Sequence, residues 1–416
     1  MNRLLIKNAS QLLTMNTEDA GDVGLIENGC IYIENGKIAA IGSVEDVQHF
    51  MVLENIEVID ASSKIVLPGF VDCHTHLVFG GSRVKEYSVK LTDESPETLK
   101  KLGIEPGLYG TVNATDSLAD DDLEKQSLKR LTSMILTGTT TIEIKSGYGL
   151  TTESEIRMLR VNERLEKKLP LDIYSTFLGA HYWPKDLNKE KYIDILINEM
   201  IPRVSELKIA KYSDIWCDDG YYTAKECEKV LSCARDYGMS PRIHTDAYSY
   251  IGGSDLAADM SMLSADHLNY TPEKVFKKLR DANVIGVVLP GTDFAVKHPR
   301  PFNPRPMLNS GMKLALASNC NPGVWVESMQ FILALACRNH GFTPAEAIKS
   351  STLFGAMALG LYDRGVLDVG KKADIQIWNL DTYEDVVYKF GTNHVETVIK
   401  DGEIIVDKGI IKGAII

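Results

Sequence analysis

IVLPGFVDCHTH, residues 65–76, is an apolar run that ends in two histidines separated by one residue. The apolar part, residues 65–73, predicts a buried strand. Because alternate side chains of a strand point to the same side, His74 and His76 can both reach one metal ion. Neutral imidazole is a good ligand for zinc or iron. Histidines at this spacing also occur as ordinary surface pairs, so the interpretation depends on the rest of the chain.

Seven more apolar runs follow this one, and helical stretches such as 152–168, 189–207, 224–237 and 272–282 separate most of them. Buried strands that alternate with helices predict β/α units with a parallel sheet. The eight predicted strands are 65–73, 139–145, 173–180, 214–217, 241–244, 262–265, 284–289 and 313–317. Eight is the number in a closed (β/α)8 barrel of the TIM type. An open doubly wound sheet is the alternative, but no Gly-x-Gly-x-x-Gly motif opens the first unit.

Both ends of the chain have a different pattern, with short β segments separated by Gly and Asn. They are 4–6, 29–33, 37–41 and 58–59 at the start, and 373–378, 396–400 and 403–406 at the end. Asp401-Gly402 between the last two is a hairpin signal. We therefore predict an α/β protein with two domains. Residues 1–65 and 365–416 form a small β-sandwich, and residues 66–364 form the barrel.

Composition excludes several classes of partner. The 416 residues carry a formal net charge of −12 and no basic stripe, which argues against binding to nucleic acid or to an anionic membrane surface. No apolar run approaches the roughly 18–20 residues of a spanning helix, and the N-terminus lacks a long apolar signal segment. The 7 cysteines are scattered, without a Cys-x-x-Cys pair, which favours reduced thiols. We expect a cytoplasmic protein.

Polar residues lie where the predicted strands end. In a barrel the carboxyl ends of the strands meet at one mouth, where active sites are found. His244 follows a later strand and therefore joins His74 and His76 as a third candidate metal ligand. The other residues at strand ends are Lys145, His181, Asp218, His267 and Asn319.

Longer motifs accompany these residues: HLVFGGSR (76–83), TTTIEIKSGYGL (139–150), STFLGAH (175–181), LSADHL (263–268), VVLPGT (287–292), NPG (321–323), ADIQIW (373–378) and GTNHV (391–395). With PGFVDCHTH (68–76), they make the chain resemble the amidohydrolase superfamily, whose members hold a metal in the mouth of a (β/α)8 barrel. Within that superfamily the chain is similar to the imidazolonepropionase family, and the resemblance covers nearly its whole length.

The resemblance implies a metal site and a substrate site. One divalent or trivalent metal per chain, zinc or iron, is expected to bind His74, His76, His244 and Asn319. Arg83 suits a carboxylate ligand on physical grounds also, since a guanidinium can grip a carboxylate with two hydrogen bonds. The implied substrate-binding residues are Arg83, Tyr148, His181, Asn321, Gly323 and Val324.

Two positions depart from the family pattern. Asn319 stands where relatives carry an aspartate, and Ala247 stands where they carry Glu or Gln. An amide cannot take a proton as a carboxylate does. We therefore expect His267 to act as the general base or oxyanion donor, with Asp246 as a weaker candidate, so that the catalytic set is His267, Asn319 and Asp246.

Other amidohydrolases bridge two metals with a carboxylated lysine at a strand end, and Lys145 occupies such a place. We favour a structural or substrate-side lysine, because the imidazolonepropionases that this stretch resembles are thought to use one metal. In the segment 103–112, GIEPGLYGTV replaces a glycine-rich ring-binding turn of relatives and offers Tyr109 instead.

The resemblance implies hydrolysis of a small molecule, 4-imidazolone-5-propanoate, to N-formimidoyl-L-glutamate in histidine degradation. A metal-activated water would attack the ring carbonyl. Two alternatives stay open: a related amidohydrolase that acts on another cyclic amide or an aminated ring, and a catalytically silent homologue or active-site variant that keeps the pocket. Closed symmetric oligomers are common among such enzymes, and we expect a homodimer.

Overall fold

The computed structural model describes residues 3–51, 55–92 and 95–412. The chain begins with five strands: β1 (Arg3–Leu13), β2 (Leu25–Glu34), β3 (Lys37–Gly42), β4 (Glu57–Asp60) and β5 (Ile65–Pro68). The middle of the chain supplies the strands of the barrel: β6 (Phe70–Asp72), β7 (Thr139–Lys145), β8 (Asp172–Ala180), β9 (Ala210–Cys217), β10 (Ser240–Pro241), β11 (Ile243–Thr245), β12 (Ser264–His267), β13 (Ile285–Val288) and β14 (Leu314–Leu316). The chain ends with β15 (Ile375–Trp378), β16 (Val395–Lys400), β17 (Glu403–Asp407) and β18 (Ile410–Ile411).

Helices fill the connections between strands. They are α1 (Val44–Val47), α2 (Val84–Lys90), α3 (Pro96–Lys101), α4 (Gly107–Asp116), α5 (Asp120–Leu136), α6 (Thr152–Lys168), α7 (Lys189–Ile195), α8 (Ile201–Leu207), α9 (Ala224–Asp236), α10 (Gly253–Asp259), α11 (Glu273–Asp281), α12 (Pro290–Ala295), α13 (Pro304–Asn309), α14 (Met329–His340), α15 (Pro344–Ser350), α16 (Leu353–Ala358) and α17 (Asp385–Tyr388). A single π turn, Leu196–Met200, joins α7 to α8. No helix in the described ranges is long and apolar enough to cross a membrane.

The two chain ends build one sheet, which we call the end sheet, with the order β18-β17-β16-β15-β5-β1-β2-β3 and β4 paired to β1. Its strands bury apolar side chains on both faces. Leu4 and Ile6 belong to one apolar cluster, and Leu5 belongs to another with Tyr32 and Val47. Side chains from successive positions of a strand point to opposite faces, so both faces of the end sheet are covered. The small β domain built from both chain ends is confirmed.

The barrel strands pair in parallel in the order β14-β13-β12-β11-β9-β8-β7-β6, with the short β10 beside β9. The circle closes just beyond the ends of β14 and β6. There the Asn319 amide donates to the His74 carbonyl at 3.0 Å, and the His76 amide donates to the Cys320 carbonyl at 3.0 Å. The predicted (β/α)8 barrel is confirmed, and its closure places residue 319 directly beside the first two histidines.

One predicted strand is wrong. Residues 65–73 do not form a single barrel strand, because β5 pairs with β1 and β15 of the end sheet, whereas β6 pairs with β7 of the barrel. The break falls at Gly69, whose amide donates to the Asp374 carbonyl at 2.9 Å. A Cβ at Gly69 would lie 2.2 Å from Thr140 Oγ1. The chain passes from one sheet to the other where only a glycine fits.

The predicted domain limits, 1–65 with 365–416 and 66–364, stay a prediction. The end sheet uses the chain as far as Pro68 and takes it up again at Ile375. All 7 cysteines are free thiols, in agreement with the expectation of reduced cysteines.

Candidate metal centre and active site

Three histidines meet at the mouth of the barrel. His74 and His76 follow β6, and His244 lies within β11. One ring nitrogen from each lies within 4.8 Å of the other two, and all three side chains are buried. The Nε2 atoms of His76 and His244 are 3.3 Å apart. Two nitrogens that bind one zinc tetrahedrally at 2.0–2.1 Å are separated by about 3.3 Å, so this spacing fits a shared metal.

A buried ring nitrogen supports the same assignment. His74 Nε2 is inaccessible to water and has no hydrogen-bond partner within the described ranges. A buried polar atom without a partner is costly and calls for an explanation, such as an ion. Burial, together with the neighbouring Lys145 and His244, also lowers the pKa of His74 well below its ordinary value. The imidazole is therefore neutral, as a metal ligand must be. The three histidines form a site for a divalent metal ion.

Two buried carboxylates stand behind these imidazoles. His74 Nδ1 lies 2.6 Å from Asp266 Oδ2, and His244 Nδ1 lies 3.0 Å from Asp214 Oδ2. No local sequence pattern marks Asp214 or Asp266 as a site residue. Asp214 lies in β9 and Asp266 lies in β12, directly before His267. Only the folded barrel shows which imidazole each carboxylate faces.

Asn319 has the left-handed backbone conformation, with φ +49°, and lies at the same mouth. Its Nδ2 donates to Thr292 Oγ1 at 2.8 Å. In this orientation Oδ1 is buried and has no partner in the part of the chain described. An amide oxygen is a neutral ligand that cannot accept a proton under ordinary conditions.

His267 lies beside the metal histidines, with its ring centroid 5.4 Å from His244 and 5.9 Å from His74. Its φ of +87° breaks the alternation of the strand, which lets both His267 and Asp266 face the site. Burial, together with nearby His244 and His298, lowers the pKa of His267 well below its ordinary value. The imidazole is therefore neutral and has a lone pair.

Asp246 is in a different environment. β11 ends at Thr245, and Asp246 has φ +55°, so the strand alternation that would align it with His244 stops before it. Its Oδ1 accepts a hydrogen bond from Thr245 Oγ1 at 2.8 Å, and its Oδ2 accepts one from Thr271 Oγ1 at 2.6 Å. Burial raises the pKa of this carboxyl, although the hydroxyls oppose the shift.

Arg83 precedes α2 and holds a carboxylate of its own chain. Its Nε and Nη2 donate to the two oxygens of Glu86, each at 2.7 Å. Burial by itself would raise the pKa of Glu86. The hydrogen bonds from Arg83 and Lys90 have the larger effect and lower the pKa to about 2. Nη1 of Arg83 faces the turn at Gly323, where a Cβ would lie 3.1 Å from it. One edge of the guanidinium is therefore used internally, and the end bearing Nη1 points to the NPG turn.

Tyr148 and His181 line the side of the cluster at His76. The His181 ring stacks on the His76 ring at 4.9 Å, and the Tyr148 ring lies 5.9 Å from His76. Burial, together with the nearby His244, lowers the pKa of His181 to about 3, so its ring is neutral. Burial raises the pKa of the Tyr148 hydroxyl, which therefore stays protonated.

The NPG turn is shaped by Asn321. Its Oδ1 accepts hydrogen bonds from the amides of Gly323 and Val324 at 2.7 and 3.0 Å, and its Nδ2 donates to the Asn319 carbonyl at 2.8 Å. Asn321 thus connects residue 319 to the turn that faces Arg83. The structure brings the predicted metal ligands and the predicted substrate-binding residues to one mouth.

An aromatic wall that the sequence analysis missed borders the metal histidines. Trp216, near the end of β9, has its ring 5.6 Å from His181 and 6.1 Å from His244, and it stacks on Tyr221 at 3.9 Å. Tyr182 contacts Tyr221 at 5.4 Å and Tyr109 at 5.6 Å. The segment 103–112 therefore contributes to this wall through Tyr109. A tryptophan within a predicted strand is ordinarily interpreted as a core residue. Only the position of Trp216 near the carboxyl end of its strand could have indicated a place at the site.

The fold and the buried imidazoles define a metal-dependent hydrolase of the amidohydrolase class. Residues 65–405 match the profile of the amidohydrolase family. Solved structures share the fold: an atrazine chlorohydrolase mutant from Arthrobacter aurescens, complexed with zinc and atraton, has a TM-score of 0.72 at 17% identity over 99% of this chain and 97% of that one. An adenosine deaminase from Xanthomonas campestris with bound zinc also has a TM-score of 0.72, at 16% identity over 98% of this chain and 94% of that one.

Curated relatives are much closer in sequence. The imidazolonepropionase of Geobacillus kaustophilus is 39% identical over 98% of this chain and 99% of its own length. That of Alkaliphilus metalliredigens is 40% identical over 98% of both chains. Within the amidohydrolases, the chain belongs to the imidazolonepropionase family.

Proposed function

We propose that this chain hydrolyses the cyclic amide of 4-imidazolone-5-propanoate to N-formimidoyl-L-glutamate, with one zinc ion at the mouth of the barrel. The observation that carries the proposal is the cluster of three buried imidazoles, with the Nε2 atoms of His76 and His244 3.3 Å apart, in a chain of this family. Zinc is supported by that spacing and by the zinc in the two related structures. Iron is the alternative metal.

His74, His76 and His244 would hold the metal, with Asn319 Oδ1 as a neutral fourth ligand. A divalent metal in this position supplies Lewis acidity and a water whose pKa falls to about 7. The residues of the chain must then move protons and hold the substrate.

His267 is the side chain that we assign to proton transfer. It is neutral, it lies beside the metal ligands, and the positions that carry acids or amides in relatives are occupied here by Asn319 and Ala247. A positioned general base typically contributes about 10²–10⁴-fold to a rate. Asp246 stays the weaker candidate, because hydroxyls bind both of its oxygens.

The substrate carboxylate would bind at Arg83, whose Nη1 end faces Gly323, while Glu86 fixes the orientation of the guanidinium. Tyr148 and His181 would contact the ring or the carboxylate beside His76, and Asn321, Gly323 and Val324 would form the far wall. The resulting site has a cation for the propionate at one side and the metal at the other.

Substrate identity can be tested by product analysis. Zinc-loaded protein is incubated with 4-imidazolone-5-propanoate, with a hydantoin that carries the same propionate, and with an aminated heterocycle, and the products are identified by NMR. We expect N-formimidoyl-glutamate from the first compound and negligible turnover of the other two. Preferred turnover of the hydantoin or the aminated ring would instead support the alternative that the altered loop at 96–110 has changed the substrate.

A second candidate function is binding of the substrate without turnover. The amide at Asn319, fixed by Thr292, favours it, because no carboxylate is present to accept a proton there. Binding of imidazolonepropionate detected by calorimetry, with no product after prolonged incubation of the zinc-loaded chain, would support this candidate against the first.

We expect the chain to form a homodimer in the cytoplasm, since closed symmetric oligomers are common. Light scattering on the purified protein tests the assembly, for which a monomer mass of 46.1 kDa sets the reference. Fractionation of cells tests the location.

A further inference from the structure

A cluster of buried charges adjoins the metal histidines. Its members have no exposed side-chain surface, and we call them the interior ion cluster: Glu143, Lys145, Asp214, Arg242 and Asp266. Three carboxylates and two cations in such a place are costly to bury unless each is paired. Lys145 Nζ lies 2.7 Å from Glu143 Oε1 and 2.8 Å from Asp214 Oδ2. Arg242 Nη2 lies 3.1 Å from Asp266 Oδ2.

Two of these carboxylates reach imidazoles of the metal site. Asp266 Oδ2 lies 2.6 Å from His74 Nδ1, and Asp214 Oδ2 lies 3.0 Å from His244 Nδ1. The contact of His74 is a hydrogen bond, and a carboxylate bonded to Nδ1 selects the tautomer with its proton on Nδ1, which leaves the lone pair on Nε2 for a metal. In agreement, His74 Nε2 is buried without a partner in the described residues, and His244 Nε2 is the atom 3.3 Å from His76 Nε2.

Lys145 connects the two carboxylates. Its Nζ is 2.8 Å from Asp214 Oδ2 and 3.9 Å from Asp266 Oδ2, and Glu143 is its third acidic neighbour. An ammonium held by carboxylates at these distances is a cation rather than a carboxylated ligand for a second metal. The lysine therefore ties together the supports of two metal ligands that come from different strands of the barrel.

We propose that Asp266 and Asp214 are positioning residues for the metal ligands His74 and His244, and that Lys145 couples the two carboxylates. The proposal rests on the metal site of the proposed function, but it concerns metal binding and can be tested without substrate. Carboxylates in such a position raise the basicity of the imidazole and fix its orientation, and their loss typically costs 10–100-fold in metal affinity.

The first test measures the zinc dissociation constant by competition with a chromophoric chelator, for the parent chain and for Asp266→Asn and Asp214→Asn. Both variants keep the size of the side chain. We expect the constant to rise about 10–100-fold in each. The matched control is Asp374→Asn, since Asp374 is also a buried carboxylate bonded to a buried lysine, Lys400, at 3.0 Å in the end sheet. The control should bind zinc like the parent.

Constants within twofold of the parent in both aspartate variants would overturn the inference, and an equal loss in Asp374→Asn would reduce it to a general effect on folding. A parent chain that binds neither zinc nor iron would instead contradict the proposed metal site itself. The two failures are therefore distinguishable.

The second test uses the visible absorption of cobalt(II) in place of zinc, which reports ligand geometry. Lys145→Met should change the position or intensity of the cobalt bands, and its effect should be non-additive with that of Asp266→Asn. Lys400→Met is the control, because it also removes a buried ammonium bound to carboxylates. Unchanged bands in Lys145→Met would contradict the coupling, and if that variant does not fold, the zinc affinities of the aspartate variants still decide the main claim.

Discussion

Asn319 determines how the chain can handle a proton at its metal site. Its Nδ2 donates to Thr292, and its free Oδ1 lies at the mouth, next to the strand that carries His74. As an amide it can be a ligand but not a base. The proposed enzyme therefore depends on His267, which carries out proton transfer without help from a carboxylate at position 319.

The variant Asn319→Asp should raise kcat for imidazolonepropionate hydrolysis by about 100-fold, in the range that a positioned general base contributes. Steady-state kinetics of zinc-loaded protein measure the change. Asn198→Asp adds the same charge at an exposed position of the π turn and should leave kcat unaltered. A kcat that does not rise in Asn319→Asp would show that the missing carboxylate does not limit the rate.

Arg83 is predicted to bind the substrate carboxylate through the Nη1 end of its guanidinium, because Nε and Nη2 are bonded to Glu86. Arg83→Lys keeps the charge but loses the Nη1 donor and the paired bonds to Glu86 that orient it, so KM should rise about 10–100-fold, with kcat changed by less than about threefold, since charge-assisted bonds contribute about 1.5–3 kcal/mol. Arg280→Lys, on α11, serves as the control, because its partners are Asp281 and Ser310. An unchanged KM would place the carboxylate elsewhere.

The residue types of the metal site could be predicted from the sequence, whereas their supports could not. A His-x-His pair at a strand end carries a local signal. Asp214 and Asp266 carry none, because their function depends on contacts to His244 and His74 from other strands. Asp266 and His267 are adjacent in sequence, yet both face the site. The positive φ of His267 allows this, because it breaks the strand periodicity by which faces are assigned.

At the scale of elements, the position where β5 gives way to β6 shows the limit of a periodicity argument. The run 65–73 is mostly apolar, but which sheet each part joins is decided by partners far away in the chain, β15 and β7. Local hydrophobicity predicts that a strand is buried, but it does not predict which strand it pairs with. The helices and the other barrel strands were predicted more closely, because each repeats the same local β/α pattern.

Gly69→Ala tests this passage between sheets. The added Cβ would lie 2.2 Å from Thr140 Oγ1, so the backbone or β7 must shift. Overpacking of this kind costs about 1–3 kcal/mol in the free energy of unfolding, which urea denaturation measures. Gly391→Ala, where a Cβ would meet nothing within 4 Å, should change stability by less than about 0.5 kcal/mol. Equal stabilities of the two variants would refute the steric account.

Asp172, the first residue of β8, connects the barrel to the end sheet through ion pairs. It lies 3.1 Å from Lys400 of β16 and 3.2 Å from Lys372, and it also pairs with Arg364. Burial by itself would raise the pKa of Asp172. These cations have the larger effect and lower the pKa to about 2. Because the folded-state pKa lies below the unfolded value of 3.8, ionised Asp172 stabilises the fold above about pH 4, and this contribution is lost as the pH falls toward 2.

Asp172→Asn should therefore lower the free energy of unfolding by about 2 kcal/mol at pH 7, and the difference from the parent should shrink between pH 4 and pH 3. Urea denaturation at pH 7, 4 and 3 gives the values. Asp381→Asn, at an exposed position, should match the parent throughout. A difference for Asp172→Asn that does not change with pH would mean that ionisation of Asp172 is not its source.

At the scale of the whole molecule, closure of the barrel places the site. The backbone hydrogen bonds that join His74 and His76 to Asn319 and Cys320 close the barrel between its first and last strands. They thereby bring Asn319 next to the metal ligands His74 and His76. The buried ion cluster then holds ligands from separate strands in one geometry. The barrel and the histidine ligands were predictable from local patterns, but the aromatic wall and the carboxylate supports arise only when strands distant in sequence become neighbours.

The proposed function is decided most directly by the loss of imidazolonepropionate absorbance with time at neutral pH, for zinc-loaded parent protein and for the same protein after chelation. We expect the zinc-loaded chain to convert the substrate to N-formimidoyl-glutamate and chelation to abolish the conversion, as the proposed function requires. A folded chain that holds one zinc ion and yet leaves the substrate unchanged, alone and as Asn319→Asp, would contradict it.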